Sequence, residues 1–276
     1  MITCNVPSTN LINFDHMTAS KLLLPSGNAN TVQIALVGCG GTGSWLAPHL
    51  ARLAKLLNDQ NKAVDLVFID PDAVEEKNCY RQNFCFAEIG QNKAETLAHR
   101  YGFAWGVEIR ALAVPFSAAA IATSEYMGTR LIIGCVDNAK ARKSILDVVE
   151  HAPYWWLDCG NHHDAGQVLL GSGLARNADA FRLPGFCGWL PMPSLQHPEL
   201  MQDEVALEDI APALSCADAA LAGAQGLTVN ATVAAIAADY LYRMLITKDL
   251  EKFATYVDLA AGSMRSRYIT SAEVIS

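Results

Sequence analysis

The stretch VQIALVGCGGTGSW, residues 32–45, limits what this chain can fold into more than any other. An apolar run of strand character empties into Gly38, Gly40, Gly41 and Gly43, spaced G-x-G-x-x-G. Apolar residues then recur at helical spacing (Leu46, Leu50, Leu53, Ala54, Leu57), which predicts a helix over 44–58 with Pro48 in its first turn. The side-chain period changes from about 2 to about 3.6 residues across the glycines, which is how a βαβ unit opens.

The rhythm continues. Strands are expected at 64–70, 107–114, 130–138 and 154–161, and helices at 92–101, 118–126 and 139–152. Strands alternating with helices give an α/β fold, a Rossmann-like and mainly parallel sheet with helices on both faces. GQVLLGSG, from Gly166, reads as an added antiparallel strand. Residues 176–215 contain Pro184, Pro191, Pro193, Pro198 and Pro212 and are expected to be an irregular functional loop or cover. An alanine-rich helix is expected over 229–246. Residues 1–30 read as an N-terminal arm, and 31–276 as a single domain with the loop inserted at about 176–215.

Composition narrows the function. Apolar residues make up 51% and charged residues 17%, the balance of a buried globular chain rather than a disordered one. A net charge of −8 argues against a nucleic-acid partner, so any phosphate site must be local. With no signal-peptide pattern and no apolar run long enough to span a bilayer, the expectation is a cytoplasmic protein without a membrane partner. None of the 8 cysteines forms a C-x-x-C pair, so neither zinc knuckle nor redox dithiol is expected.

The glycine turn lets backbone approach a phosphate at a helix start, where free N–H groups favour an anion. NAD enzymes and ATP enzymes share that device. Asp70 at the end of the second strand is placed to accept from ribose hydroxyls, with Asp72 in the same nucleotide-binding set. The loop beyond it, DPDAVEEKNCYRQNF (70–84), then favours ATP. Arg81 can fork onto phosphate oxygens, Lys93 adds a point charge, and Asn78 and Gln82 can fix phosphate or metal-bound water. Asp137, at the carboxyl end of LIIGCVD, is a hard oxygen donor suited to Mg²⁺. A hydride-transferring NAD(P) oxidoreductase leaves these residues unexplained.

Five segments together carry a resemblance: GCGGTGSW (38–45), DPDAVEEKNCYRQNF (70–84), GQNKAETLA (90–98), CVDNAKAR (135–142) and LSCADAALAG (214–223). In their order and gaps the chain resembles the ubiquitin-activating-enzyme-like superfamily, with its ThiF, MoeB and HesA adenylyltransferases, and most of all the ThiF-type proteins of PRTRC gene clusters. The resemblance implies an enzyme that adenylates the C-terminal glycine carboxylate of a small ubiquitin-like (β-grasp) protein with ATP·Mg²⁺, releases pyrophosphate, and works as a homodimer. It implies Gly40 and Gly41 at the phosphates and Asp70 at the ribose. Asn78, Arg81, Gln82 and Lys93 fall on the triphosphate, Asp137 on magnesium and Val114 near adenine. Arg142 reads as a helix-surface residue. For a later transfer to a thiol, Cys216 matches by motif, and Cys187 stands in the proline-rich loop where exposure is expected.

The match departs in two places. The family's paired C-x-x-C zinc motifs are missing. So is an arginine before Arg52, where several members lend one across the dimer; Lys21 would have to substitute. A non-catalytic ATP- or partner-binding scaffold of the same fold is the alternative these departures leave open.

Overall fold

Aliphatic and β-branched runs become central strands here because both faces of the sheet are covered. The computed structural model describes residues 15–24, 30–122, 128–173, 180–202 and 227–275. In chain order the strands are β1 (Lys21–Leu22), β2 (Thr31–Val37), β3 (Ala63–Ile69), β4 (Arg110–Leu112), β5 (Thr129–Gly134), β6 (Trp155–Asn161), β7 (Ala165–Ser172), β8 (Phe186–Cys187), β9 (Lys252–Asp258) and β10 (Ser263–Tyr268). The main helices are α1 (Gly41–Asp59), α2 (Lys93–Trp105), α3 (Ala139–Val149) and α4 (Val229–Tyr242).

Eight strands form one sheet in the order β10-β9-β7-β6-β5-β2-β3-β4. The run from β6 to β4 is parallel, and β7, β9 and β10 extend it antiparallel. Alternation along β2 sorts the core. Ile34 and Leu36 join the larger apolar cluster with Leu46, Leu50, Leu97 and Val233 from α1, α2 and α4. Ala35 and Val37 face the other way, onto Ile145 and Val149 of α3.

Several expectations shift. The helix predicted from residue 44 begins at Gly41, so Pro48 lies in its interior rather than its first turn. The strand predicted over 107–114 pairs only at Arg110–Leu112, an edge position with little to pair against. Of the helix expected over 118–126, a 3₁₀ turn at Ala118–Ile121 is present, and residues 123–127 lie outside the described residues. The proline-rich loop is not wholly a cover. Within it Cys187, Trp189 and Leu190 are buried in the main core, and β8 pairs with β1. Aromatic and aliphatic side chains there outweigh the prolines, which start the short turns Pro193–Gln196 and Pro198–Met201. The helix expected over 229–246 ends its α-form at Tyr242 and continues as a π turn, Arg243–Thr247. The β9–β10 hairpin has a half-exposed outer strand, and its polar SMRSRY gave no strand signal.

Candidate active site at the strand-order reversal

From β2 the chain crosses to β3 on one side, while β5 lies on its other side, so the ends of β2 and β5 open a crevice between their following segments. The four glycines divide the work there. Gly38 adopts φ +87, and a β-carbon on it would stand 2.5 Å from the Cys135 carbonyl oxygen. One on Gly43 would stand 1.9 Å from the Gly38 carbonyl oxygen. These two close the turn. A β-carbon on Gly41 would meet Asn230 Oδ1 at 2.5 Å, whereas on Gly40 nothing comes nearer than Gln82 Nε2 at 3.6 Å. Gly40 is the glycine with free space on its cleft side. It is also the N-cap of α1, with no side chain capping the helix and no acid in the first turn. Unbonded N–H groups therefore face the crevice.

Asp70 braces the turn from β3. One carboxylate oxygen accepts from the Cys39 N–H at 2.6 Å and the other from the Asp72 N–H at 2.8 Å. Burial pushes its carboxyl up, against the pull of these amides and of Lys93. The acid thus serves the backbone first, and its remaining lone pairs are what a ribose could use.

The loop after β3 is fastened to α1 through the carbonyl that Pro48 leaves unbonded. An ordinary residue at 48 would donate to the Ser44 carbonyl; proline cannot. Asn83 Nδ2 donates to that oxygen instead, at 3.2 Å, and the Asn83 N–H donates to Ser44 Oγ at 2.9 Å. Trp45 Nε1 donates to the Arg81 carbonyl at 3.2 Å. So Arg81 is held at both sides by backbone anchors while its half-buried guanidinium has no partner among the described residues. Gln82 is buried with Oε1 unpaired. Asn78, also buried, accepts from the Glu75 N–H at 2.8 Å. Lys93 opens α2, is buried, and donates to Asp72 Oδ2 at 3.1 Å. Across the crevice the cap of α3 falls to Asn138, whose Oδ1 accepts from the Ala141 N–H at 2.9 Å. Asp137 is left exposed beside it.

These groups share one cleft of about 1030 Å³, lined by Gly38, Gly40, Gly41, Asp70, Asp72, Asn78, Arg81, Gln82, Lys93 and Asp137. Other residues predicted for the site are elsewhere. Gly43 is packed under the turn, and Val114 is exposed outside the cleft, where Pro115 and Phe116 form the wall. Cys187 is fully buried, its Sγ donating to the Trp189 carbonyl at 2.9 Å, so the expected exposure is not met; β8 pairing with β1 draws it inward. Cys216 lies outside the described residues. Lys21 is exposed on β1 and does not line the cleft. Cys135 lines the crevice and Cys39 is buried under the glycine turn; burial pushes up the Cys39 thiol, and a hydrogen bond with Cys159 together with burial pushes up that of Cys135. Neither is a ready thiolate.

Arg142 corrects the sequence reading most. Only 7% exposed, it lines the cleft rather than the protein surface, and its Nε donates to Asp158 Oδ1 on β6 at 3.2 Å. Sequence reasoning also missed a polar trio beside the glycine turn. Asn161 Nδ2 donates to Thr42 Oγ1 at 2.7 Å and to Asn230 Oδ1 at 2.6 Å. Asn230, a fully buried amide opening an alanine-rich helix, was the one visible signal.

Burial pushes the Asp158 carboxyl up to about 6, with Arg142 and then His197 pulling it back. Its folded value exceeds its unfolded one, so the native state holds the extra proton below that point. Stability therefore falls as pH rises from about 4 to about 6 and is level above. Comparing denaturant unfolding of the wild type and Asp158→Asn at pH 4 and pH 7, the wild type should lose on the order of 2 to 3 kcal/mol relative to the variant. A pH-independent difference would contradict this.

A family model described as ThiF family matches residues 26–273. Among solved structures, E. coli MccB with AMPCPP and MccA superposes at a TM-score of 0.56 and 15% identity, over 86% of this chain and 63% of that one. PaaA superposes at 0.55 and 16%, over 86% and 64%. MccB with ATP does so at 0.53 and 16%, over 86% and 63%. At such identities the likeness is one of fold, and the chain spans less than two thirds of the length of these structures. No curated protein matches by sequence. Among the described residues no helix is long and apolar enough to cross a membrane. The glycine turn, the acid-to-arginine loop and the sheet order all lie within the matched span, and this chain belongs to the ThiF family.

Proposed function

We propose that this protein uses ATP to adenylate the C-terminal carboxylate of a small protein, releasing pyrophosphate, and that the small protein is a β-grasp, ubiquitin-like one ending in glycine. The observation that carries the reading is the meeting of Arg81, Gln82, Lys93 and Asp137, from a loop, a helix start and a second strand end, with the glycine turn in one cleft. Family membership and the fold of MccB, solved with ATP and with AMPCPP and MccA, support it.

The cleft fits a triphosphate. The N–H groups at the start of α1 and the guanidinium of Arg81 suit phosphate oxygens, while the unpaired buried Oε1 of Gln82, an acceptor, suits metal-bound water. Asp70 would take the ribose and Asp137 a magnesium ion. No cluster of three or more metal-ligating side chains occurs among the described residues, which suits Mg²⁺, an ion that binds through one or two carboxylates plus phosphate and water. Bound there, the ion would neutralise charge on the phosphates. Arg81 and Lys93 hold the polyphosphate so that the attacking carboxylate and the α-phosphorus approach without mutual repulsion, and they stabilise the charge growing on the departing pyrophosphate. For any later passage of the acyl group to sulfur, the buried Cys187 is a poor nucleophile and Cys216 is the candidate.

The test is ATP re-formation from labelled pyrophosphate with a candidate β-grasp protein ending in glycine. Exchange that depends on that protein, and disappears when its last glycine is removed, is the expected result. ATP binding by calorimetry without any exchange would favour the non-catalytic scaffold.

A further inference from the structure

Going strand by strand away from Asp70 on β3, the sheet presents the glycine turn on β2, Asp137 after β5, and Arg142 over β6. Beyond lies a row of directly paired positions. Gly160 of β6 faces Gln167 of β7, Gln167 faces Tyr256 of β9, and Tyr256 faces Arg265 of β10. All four line the cleft. The glycine-turn half of the cleft thus reaches β5, and the row from β6 to β10 continues it across three strand spacings, or roughly 14 Å.

Arg142 stands at the junction. The guanidinium is tethered by one edge: Nε donates to Asp158, and neither Nη group has a hydrogen-bond partner among the described residues. A β-carbon on Gly160 would stand 3.3 Å from Nη2, so glycine at this position keeps the space that the fork occupies. The rest of the side chain is packed away, only 7% of the residue being exposed, so its two outer donors are the part presented to the cleft, where an anion or carbonyl can meet them. The geometry of a fork with free Nη groups matches a carboxylate bidentately.

Resting on the adenylation reading above, we propose that Arg142, held edge-on by Asp158, is the docking point for the acyl donor's C-terminal carboxylate, the donor's tail reaching it along the Gln167–Tyr256–Arg265 side. Arg81 and Lys93 would serve the nucleotide, and Arg142 the second anion. Two anions must be brought together for reaction, and separate cations for each remove the repulsion without competing for one charge. As one carboxylate oxygen bonds to the α-phosphorus, the bond from that phosphorus to the bridging oxygen of the β-phosphate breaks and pyrophosphate leaves with its electron pair; the guanidinium keeps its hold on the other carboxylate oxygen, which becomes the acyl carbonyl.

Binding to defined probes separates the roles. AMP fills the glycine-turn half alone. The non-hydrolysable 5′-O-(N-acetylglycylsulfamoyl)adenosine exchanges the phosphate for a sulfamate and adds an acyl group, so its gain is read against 5′-O-sulfamoyladenosine, which has the sulfamate alone, as well as against AMP. Wild type should bind the acyl mimic at least about tenfold more tightly than either, a difference of about 1.4 kcal/mol. The double variant Arg142→Gln with Asp158→Asn, which removes both buried charges together, should lose that advantage while AMP affinity stays within about twofold. Arg142→Lys, which keeps the charge and the Asp158 partner but not the fork, should lose part of it and guards against misfolding of the double variant. Equal losses for both probes, or none for the acyl mimic, would overturn the assignment. A wild type that binds AMP but gains nothing from the acyl group would overturn the subsite alone; one that binds neither would overturn the nucleotide reading and the subsite with it.

Discussion

Replacing Arg81 by alanine should lower pyrophosphate exchange by about 100-fold to 1000-fold, the range for removing a preorganised charge donor from a phosphoryl-transfer site. The same variant should keep the wild-type melting temperature within about 2 °C, because surface-type substitutions that sever no contact cost under about 0.5 kcal/mol. Among the described residues the Arg81 side chain bonds nothing, and what fixes the segment is its backbone: its own carbonyl takes the Trp45 donor and the next-but-one residue grips Ser44. Function and stability should therefore separate cleanly here. Lys93→Met should behave differently, since it also frees Asp72 from its ion pair, although that acid's side chain is 65% exposed and readily solvated. A large drop in melting temperature for Arg81→Ala, or exchange within about threefold of wild type, would refute the role given to Arg81.

A second pair of variants contrasts two glycines of the same motif. Gly43→Ala forces a β-carbon to 1.9 Å from a backbone carbonyl that cannot move without reopening the turn. We expect a loss of about 4 kcal/mol or more and a melting temperature lower by roughly 10 °C, or no soluble protein. Gly40→Ala places its β-carbon 3.6 Å from the end of the Gln82 side chain, an ordinary contact. Its stability should fall by less than that of Gly43→Ala, by at most about 2 kcal/mol. Its ATP affinity, measured by calorimetry, should fall at least about tenfold, because that methyl group occupies the face where phosphate must approach backbone. Equal destabilisation by the two changes would show that the motif is wholly structural.

The sequence made much of this site legible. Residues 38–43 and 70–93 carry their chemistry in short, local patterns, and each was traceable because strand ends in a parallel sheet point to one edge. Asp137 was legible for the same reason. The polar trio Thr42, Asn161 and Asn230 was not, as its members are far apart in the chain and each alone resembles a turn or cap residue. Pro48 and Asn83 were each visible, but their connection through the Ser44 carbonyl was not. Cys187 and Val114 were misplaced for a related reason: neither a place in a loop nor one at an expected strand end reveals exposure or direction.

What the chain's own order of residues determined, then, is the α/β alternation, the glycine turn and the set of groups delivered to the sheet's carboxyl edge. Periodicity and local backbone chemistry act over a few residues, so they survive in one dimension. Only the tertiary structure decided that Arg142 turns inward onto Asp158 rather than outward to water, and that β6, β7, β9 and β10 carry the cleft onward past the glycine turn. Burial and pairing between distant segments set the free energy of a charged side chain, and no local pattern encodes them.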